Sequence, residues 1–361
     1  MRIRRIGAAL MVAVTLGWVG ASCVRRPFIV AVPVRTSWPD AAWPEATPER
    51  RGLDSAVLAD AIRYVRDEGL AVHGVVLVRG GDVVLDARFY PYGDDVPHDV
   101  ASVTKSVTAT LLGLAIADGF VPGLDARVAD YFPEHARAFA DARKKAMTVG
   151  DLAAMRSGFA CGHDPSEPET RRMVRAPNFV NFALALPMER APDDQFSYCS
   201  PGVHLLGAAI ARAVGEDLEA YARRRLFEPL GVRDLVWPHD AQGFVHGAGD
   251  LRLRPRDLAR LGWLYLNDGR WGGRALLPAG WVEQATRWRS RVEGPLGYGL
   301  GWWLVDEEGF RRFEARGRGG QLIVAWPEGD LVAVLLGAGY EGTRLGEFLR
   351  RALRSNGLLR D

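Results

Sequence analysis

Hydrophobic patterning divides this chain before any composition is counted. A basic start, "MRIRR", leads into the apolar run "IGAALMVAVTLGWVGA" and then small residues ahead of Cys23. A positive head, an apolar centre and a small-residue end are the parts of an export signal, so residues 1–23 are read as one. Small residues before a cysteine also fit a lipoprotein signal with Cys23 lipidated, although Gly20 stands where Leu is more usual. An uncleaved anchor helix, or a plain signal peptide with an incidental Cys, fits as well. Each reading places the protein outside the cytoplasm, periplasmic or tethered to a membrane by its N-terminus.

The next segment, 24–52, is Pro-rich with no helical period and is expected to be an extended tether. The folded unit is expected to span 53–361. "DSAVLADAIRYVRDEG" combines a capping Asp54-Ser55, apolar residues at helical spacing and a Gly stop, which predicts a helix. "VHGVVLVRGGDVVLDARFY" predicts a hairpin turning at 80–82. Helical patterns dominate from 102 to about 285. Strands return in "GYGLGWWLV", "RRFEARG" and "QLIVAWPEGDLVAVLLG", and "TRLGEFLRRALRSNG" predicts a closing helix. Strands at both ends with helices between predict an α/β unit: an antiparallel sheet built from both chain ends, flanking helices and a mostly helical insertion. Trp302 and Trp303 are expected to fill core.

Composition adds little except in one respect. The chain has 361 residues, a net charge of +2 and 25% charged residues, so nothing points to a nucleic-acid partner. Seven His are scattered without a ligand-spaced cluster, so no metal or other cofactor is expected. His246 could line a pocket but is expected to be structural. Of 46 basic residues, however, only Lys105, Lys144 and Lys145 are Lys. Arg does not release its proton in a protein and Lys can, so Lys105 is a candidate for acid–base chemistry.

Lys105 lies three residues after Ser102, at the start of a run so apolar that it predicts a buried helix. Positions i and i+3 face the same side of a helix. A desolvated lysine near the positive end of the helix dipole would hold its proton loosely and could accept that of the serine. With eleven Ser and three Lys in the chain, S-x-x-K is expected by chance about 0.09 times. The plain alternative is a capping Ser with a solvated Lys. Tyr198 and Ser200 flank Cys199 immediately before another apolar helix. A phenol there could relay a proton, as phenolate or as a neutral shuttle, or could be a core Tyr beside a capping Ser. In "FEARGRGGQLIVAW", Gly317 opens a Gly-rich corner whose bare backbone could donate N–H groups to an oxyanion, or simply form a turn.

Taken together these motifs resemble the serine β-lactamase and penicillin-binding-protein family, in its class C-like branch with esterases, DD-peptidases and 6-aminohexanoate-dimer hydrolases. Ser102-Val103-Thr104-Lys105 matches S-x-x-K, and Tyr198-Cys199-Ser200 matches Y-x-N with Ser in place of Asn. "TVGDLAAMRSGFACG", "GDLRLRPRDLARLGWLYLNDGRWGGRALLPAGWV" and "GYGLGWW" are also similar, so the resemblance runs from about 53 to the C-terminus. It implies a β-lactamase-like fold and an acyl-enzyme on Ser102, with Lys105 and Tyr198 moving the proton. It implies that Ser200 bonds Lys105 or the substrate, and that the N–H groups of Ser102 and Arg318 hold the oxyanion. One departure matters. Penicillin-active members open the third motif with Lys or His, and here that position is Ala315, followed by Arg316 and Gly317. Without a cation for a substrate carboxylate, the expected substrate is a small-molecule ester or amide. A cell-wall DD-peptidase or β-lactamase, and a non-catalytic module, are the other two readings. If Cys23 is lipidated, Cys161 and Cys199 are left as a pair beside the site, joined as a disulfide or as two free buried thiols.

Overall fold

Arg35, Trp38, Pro39 and residues 43–339, apart from 94, 95, 163, 165, 308 and 309, are described by a computed structural model. The segment expected to be an export signal, with Cys23, most of the Pro-rich segment before residue 43 and the residues expected to form a closing helix, 343–357, lie outside the described residues. Helix α1 (Ser55–Asp67) begins where the pattern places it, with the Asp54 carboxylate accepting the Ala56 N–H. Strands β1 (Val72–Arg79) and β2 (Asp82–Arg88) form the expected hairpin. Helix α2 (Thr104–Ala117), a helical region containing α3 (Ser200–Val214), and α4 (Pro255–Leu266) follow. The chain then returns to strands: β3 (Ser290–Glu293), β4 (Leu296–Tyr298), β5 (Trp303–Glu307), β6 (Phe310–Gly317), β7 (Gln321–Trp326) and β8 (Leu331–Gly337).

These eight strands make one sheet in the order β2-β1-β8-β7-β6-β5-β4-β3, with every neighbouring pair antiparallel. The sheet is therefore built from both ends of the chain, with Val76 of β1 paired to Val334 of β8. Along β1 the side chains alternate. Val76 and Val78 enter the large core with Leu258 and Leu261 of α4, whereas Leu77 joins Leu58 of α1 on the other side. "GYGLGWWLV" does not form one strand: a glycine-bearing bend at 299–302 separates β4 from β5. Strand β3 has no sequence signal, because four residues reading Ser-Arg-Val-Glu carry too little apolar alternation to mark one.

Helix α2 runs through the centre, buried from Thr104 to Ala115. Its Leu111, Leu112 and Leu114 are fully enclosed, and each contributes about 2 kcal/mol by leaving water. Part of the segment expected to be a tether also takes part in the packing. Trp43 is buried, its indole N–H donates to Gly81 O at 2.8 Å, and Glu45 bridges to Val83. Arg35 bonds Asn267 at 2.7 Å and pairs with Asp330. Proline hides such contacts from periodicity arguments but does not prevent a single indole from inserting.

Candidate active site

The polypeptide enters α2 through a tight turn. Ala101 has φ of 46°, in the left-handed region that a residue with a Cβ seldom adopts. Asp99 holds it there by accepting the Ala101 N–H at 2.8 Å, and Ala101 O accepts the Thr104 hydroxyl at 2.6 Å. Ser102 follows in a short 3-10 turn, Ala101–Val103, that runs directly into α2. This places the Ser102 hydroxyl one turn from Lys105, and Lys105 Nζ lies 2.6 Å from Ser102 Oγ. Nζ also donates to Ala248 O at 2.9 Å. Ser102 stays partly accessible while Lys105 is buried.

Burial drives the Lys105 pKa down to about 8. The nearby Glu167 carboxylate acts against that fall, the Arg318 cation adds to it, and Asp250 opposes it more weakly. Roughly a tenth of this amine is therefore neutral at pH 7 and about half at pH 8, and a neutral amine can accept a proton. Tyr198 behaves oppositely. Burial first, and then the charge of Glu167, push its phenol well above the ordinary value, and a hydrogen bond with Ser102 only partly offsets them. Of the two roles open to Tyr198, phenolate and neutral shuttle, the electrostatics favour the neutral phenol.

Tyr198 is positioned from three sides. Lys105 Nζ lies 5.0 Å from its ring centroid, and Trp303 stacks on it at 5.7 Å with an interplanar angle of 20°. Next to it, Cys199 is joined to Cys161 in a disulfide with Cα atoms 5.6 Å apart. Of the two readings left open for these cysteines, the bridged one is observed. The two tryptophans divide. Trp302 is core, packed against Tyr265 and Phe313, whereas Trp303 of β5 forms a wall of the site.

Ser200 belongs to this cluster, but its hydroxyl donates to Glu167 and not to Lys105. Glu167 is the residue that sequence reasoning missed. It sits at φ 49° just before a short helix, Pro168–Met173, and also accepts the Thr170 hydroxyl at 3.0 Å. Nothing in "DPSEPET" distinguishes it from an exposed acidic helix start, and only tertiary packing carries it to Ser200. Strained backbone of this kind costs roughly 1–3 kcal/mol and persists only where its surroundings hold it.

The Gly-rich corner faces the turn that carries Ser102. A Cβ on Gly317 would lie 2.5 Å from Val100 O and 3.2 Å from Ala101 Cβ, so only glycine lets the end of β6 approach this closely. The Gln321 side-chain amide fastens the corner, donating to Gly337 O at 2.7 Å and to Gly319 O at 3.1 Å. Ala315 is buried in the main core and offers no polar group. Arg316 bonds Glu314 at 2.6 Å and lies over the Trp303 ring, while Arg318 is exposed. His246 is buried and bonds Asp250 at 2.9 Å. Among the described residues no group of three or more His, Cys, Asp or Glu is arranged to hold a metal ion.

The chain is similar over most of its length to several known proteins. A family model described as Beta-lactamase matches residues 58–356. Penicillin-binding protein 4 of Amycolatopsis lactamdurans is 30% identical over 292 residues, covering 70% of this chain and 74% of its own. The 6-aminohexanoate-dimer hydrolase of Paenarthrobacter ureafaciens is 27% identical over 300 residues, covering 75% and 74%. Among solved structures, EstCE1, a hydrolase with promiscuous acyltransferase activity, superposes with a TM-score of 0.71 at 16% identity, over 83% of this chain and 98% of its own.

Proposed function

Since the chain belongs to the β-lactamase family, we propose that it is a serine hydrolase that cleaves a small-molecule ester or amide through an acyl-enzyme on Ser102. The observation that carries this reading is the 2.6 Å contact between Ser102 Oγ and the buried Lys105 amine. Ser102 Oγ attacks the substrate carbonyl as its proton passes to neutral Lys105, which becomes an ammonium. The backbone N–H groups of Ser102 and Arg318 hold the oxyanion. When the carbonyl–leaving-group bond breaks, the neutral Tyr198 phenol gives its proton to the departing oxygen or nitrogen and recovers one from Lys105. Water then attacks the acyl group, losing its proton by the same route, and returns Ser102 to its hydroxyl form.

Two observations favour a neutral substrate. Ala315 cannot bind a carboxylate, and Arg316 is already paired with Glu314. Arg318 is expected to offer its backbone N–H, so the carboxylate of a β-lactam loses a charge-assisted hydrogen bond worth roughly 1.5–3 kcal/mol unless the exposed Arg318 guanidinium replaces it. A DD-peptidase or β-lactamase is the second reading, favoured by the similarity to Penicillin-binding protein 4. The Cys161–Cys199 disulfide supports an oxidising compartment outside the cytoplasm, in keeping with an export signal at 1–23.

The test compares wild type and Ser102→Ala on p-nitrophenyl acetate or butyrate and on a chromogenic cephalosporin, with intact mass after fluorophosphonate labelling. Hydrolysis of the esters and a mass adduct, both abolished in Ser102→Ala, with little cephalosporin turnover, is the expected result. Fast cephalosporin turnover would move the assignment to a β-lactamase. An unlabelled, inactive wild type would favour a non-catalytic module.

A further inference from the structure

Beneath Lys105 the chain doubles back between His246 and Asp250. Gly249 N–H donates to His246 O at 3.0 Å, and the Trp237 indole N–H bonds both His246 O at 3.1 Å and Gly249 O at 3.2 Å. The two carbonyls within the turn point at α2: Gly247 O accepts the Thr108 hydroxyl at 2.6 Å, and Ala248 O accepts Lys105 Nζ at 2.9 Å. Side chains close the turn at its ends, with His246 Nδ1 2.9 Å from Asp250 Oδ2. The imidazole fills the turn so tightly that a Cβ on Gly249 would lie 3.2 Å from its Cε1 and Nδ1. Asp250 itself is held at φ 64°.

The proposed acyl transfer uses the Lys105 amine but neither His246 nor Asp250. We infer that these two form a positioning pair: their bond sets the Ala248 carbonyl, and that carbonyl aims the Lys105 amine at Ser102. The inference rests on the reading of Ser102 as the nucleophile. An ionised Asp can only accept, so His246 Nδ1–H is the donor. Without that bond the turn keeps its backbone bond and the Trp237 bridge but loses its side-chain tie to the left-handed Asp250, so the carbonyl that fixes Nζ is set less firmly. The pair also acts through charge. Lys105 is faced by Asp250 from this turn, Glu167 from the loop before Pro168, Arg318 from the β6–β7 corner and the Tyr198 ring, 5.0 Å from Nζ, from the segment before α3. Asp250 is faced by His246, Arg252 and Arg318. His246 is faced by His204 of α3, which burial keeps neutral.

The experiment measures the rate of fluorophosphonate adduct formation on the full chain by intact mass, between about pH 6 and 10. It compares wild type with His246→Asn, His246→Leu and Asp250→Asn, each normalised to its folded fraction. The Asn amide nitrogen takes the place of Nδ1 and keeps a donor to Asp250, whereas Leu does not. His246→Asn is expected to stay within about 3-fold of wild type, and His246→Leu and Asp250→Asn to slow by about 10-fold or more, because small misplacements of a reacting group are costly. Asp250→Asn should also move the rate–pH curve to lower pH, since a negative charge that helps Lys105 keep its proton is gone. An Asp250→Asn protein with the wild-type rate and midpoint overturns the inference, as does a His246→Asn protein as slow as His246→Leu. If His246→Leu does not fold, the other two variants decide. A wild type that takes no label fails the nucleophile reading itself, and the positioning role with it.

Discussion

Lys105 and Lys144 are both buried, yet their ammonium groups are held differently. Lys144 Nζ is occupied by backbone, donating to Leu184 O at 2.6 Å and Leu186 O at 2.7 Å, whereas Lys105 directs one bond to Ala248 O and another to the Ser102 hydroxyl. Lys144 is therefore held as a structural group, whereas Lys105 is held in the way the proposed mechanism requires of a base. Lys144→Met should lower stability by about 2 kcal/mol, because two buried carbonyls are left without their donor, while the labelling rate of folded protein stays unchanged. Lys105→Arg should fold but lose about 10²-fold or more in ester hydrolysis, because arginine does not become neutral. Near-normal turnover in a folded Lys105→Arg protein would remove Lys105 from the proton path.

Activity should rise with pH. In the proposed mechanism the competent form of Lys105 is the neutral amine, and burial brings its pKa to about 8. Below that value kcat/KM for p-nitrophenyl butyrate should fall about tenfold per pH unit, with a midpoint near 8. No second fall should follow immediately above it, because Tyr198 keeps its proton well past the ordinary phenol range. A bell centred below pH 7 would point to a carboxylate as the base.

The disulfide closes a loop with a sequence separation of 38 residues that contains Glu167 and ends beside Tyr198. Replacing both cysteines by Ser should cost about 2–4 kcal/mol in urea unfolding. It should also slow acylation, because Cys199 adjoins Tyr198 and Glu167 lies within the released segment. A lower stability with no change in acylation rate would limit the bridge to a structural role.

Acid should destabilise the protein through His204. Burial, and then the neighbouring His246, bring its pKa down to about 3. The unfolded chain, with an ordinary value near 6.5, takes up the proton first. The stability that the neutral ring contributes is therefore complete above about pH 6.5 and is lost as pH falls toward 3, at up to about 1.4 kcal/mol per unit. Thermal unfolding between those limits should show a falling Tm, and His204→Leu should flatten its share of that slope.

What could be read from the sequence is what local spacing controls. Ser102 and Lys105 are three apart on a helix too apolar to lie at the surface, and the hairpins at 72–88 and 321–337 are β-rich runs around clear turn residues. Tyr198 and the Gly317 corner were legible through the order of motifs. Glu167 was not, because its place depends on a left-handed backbone and on a hydroxyl 33 residues further on. Asp250 and His246 meet Lys105 through a carbonyl, which leaves no mark in a side-chain pattern. Trp43 was concealed by the prolines around it, and β3 by its polarity. The placement of Ser200 on Glu167 instead of Lys105 has the same origin: a hydroxyl takes the nearest strong acceptor, and no motif records where that acceptor lies.

The pairing of β1 with β8 has a consequence in time. About 260 residues separate partners such as Val76 and Val334, and contacts this distant in sequence form late and slowly. The corner that presses against the Ser102 turn lies between β6 and β7, on strands that emerge from synthesis after the entire helical region. A growing chain thus carries Ser102 and Lys105 long before it carries the surface that completes the cleft. Until β6 and β7 pair, the turn that carries Ser102 lacks the close approach of Gly317, so under the proposed mechanism a partly folded chain would hold the serine and lysine without the corner's N–H groups.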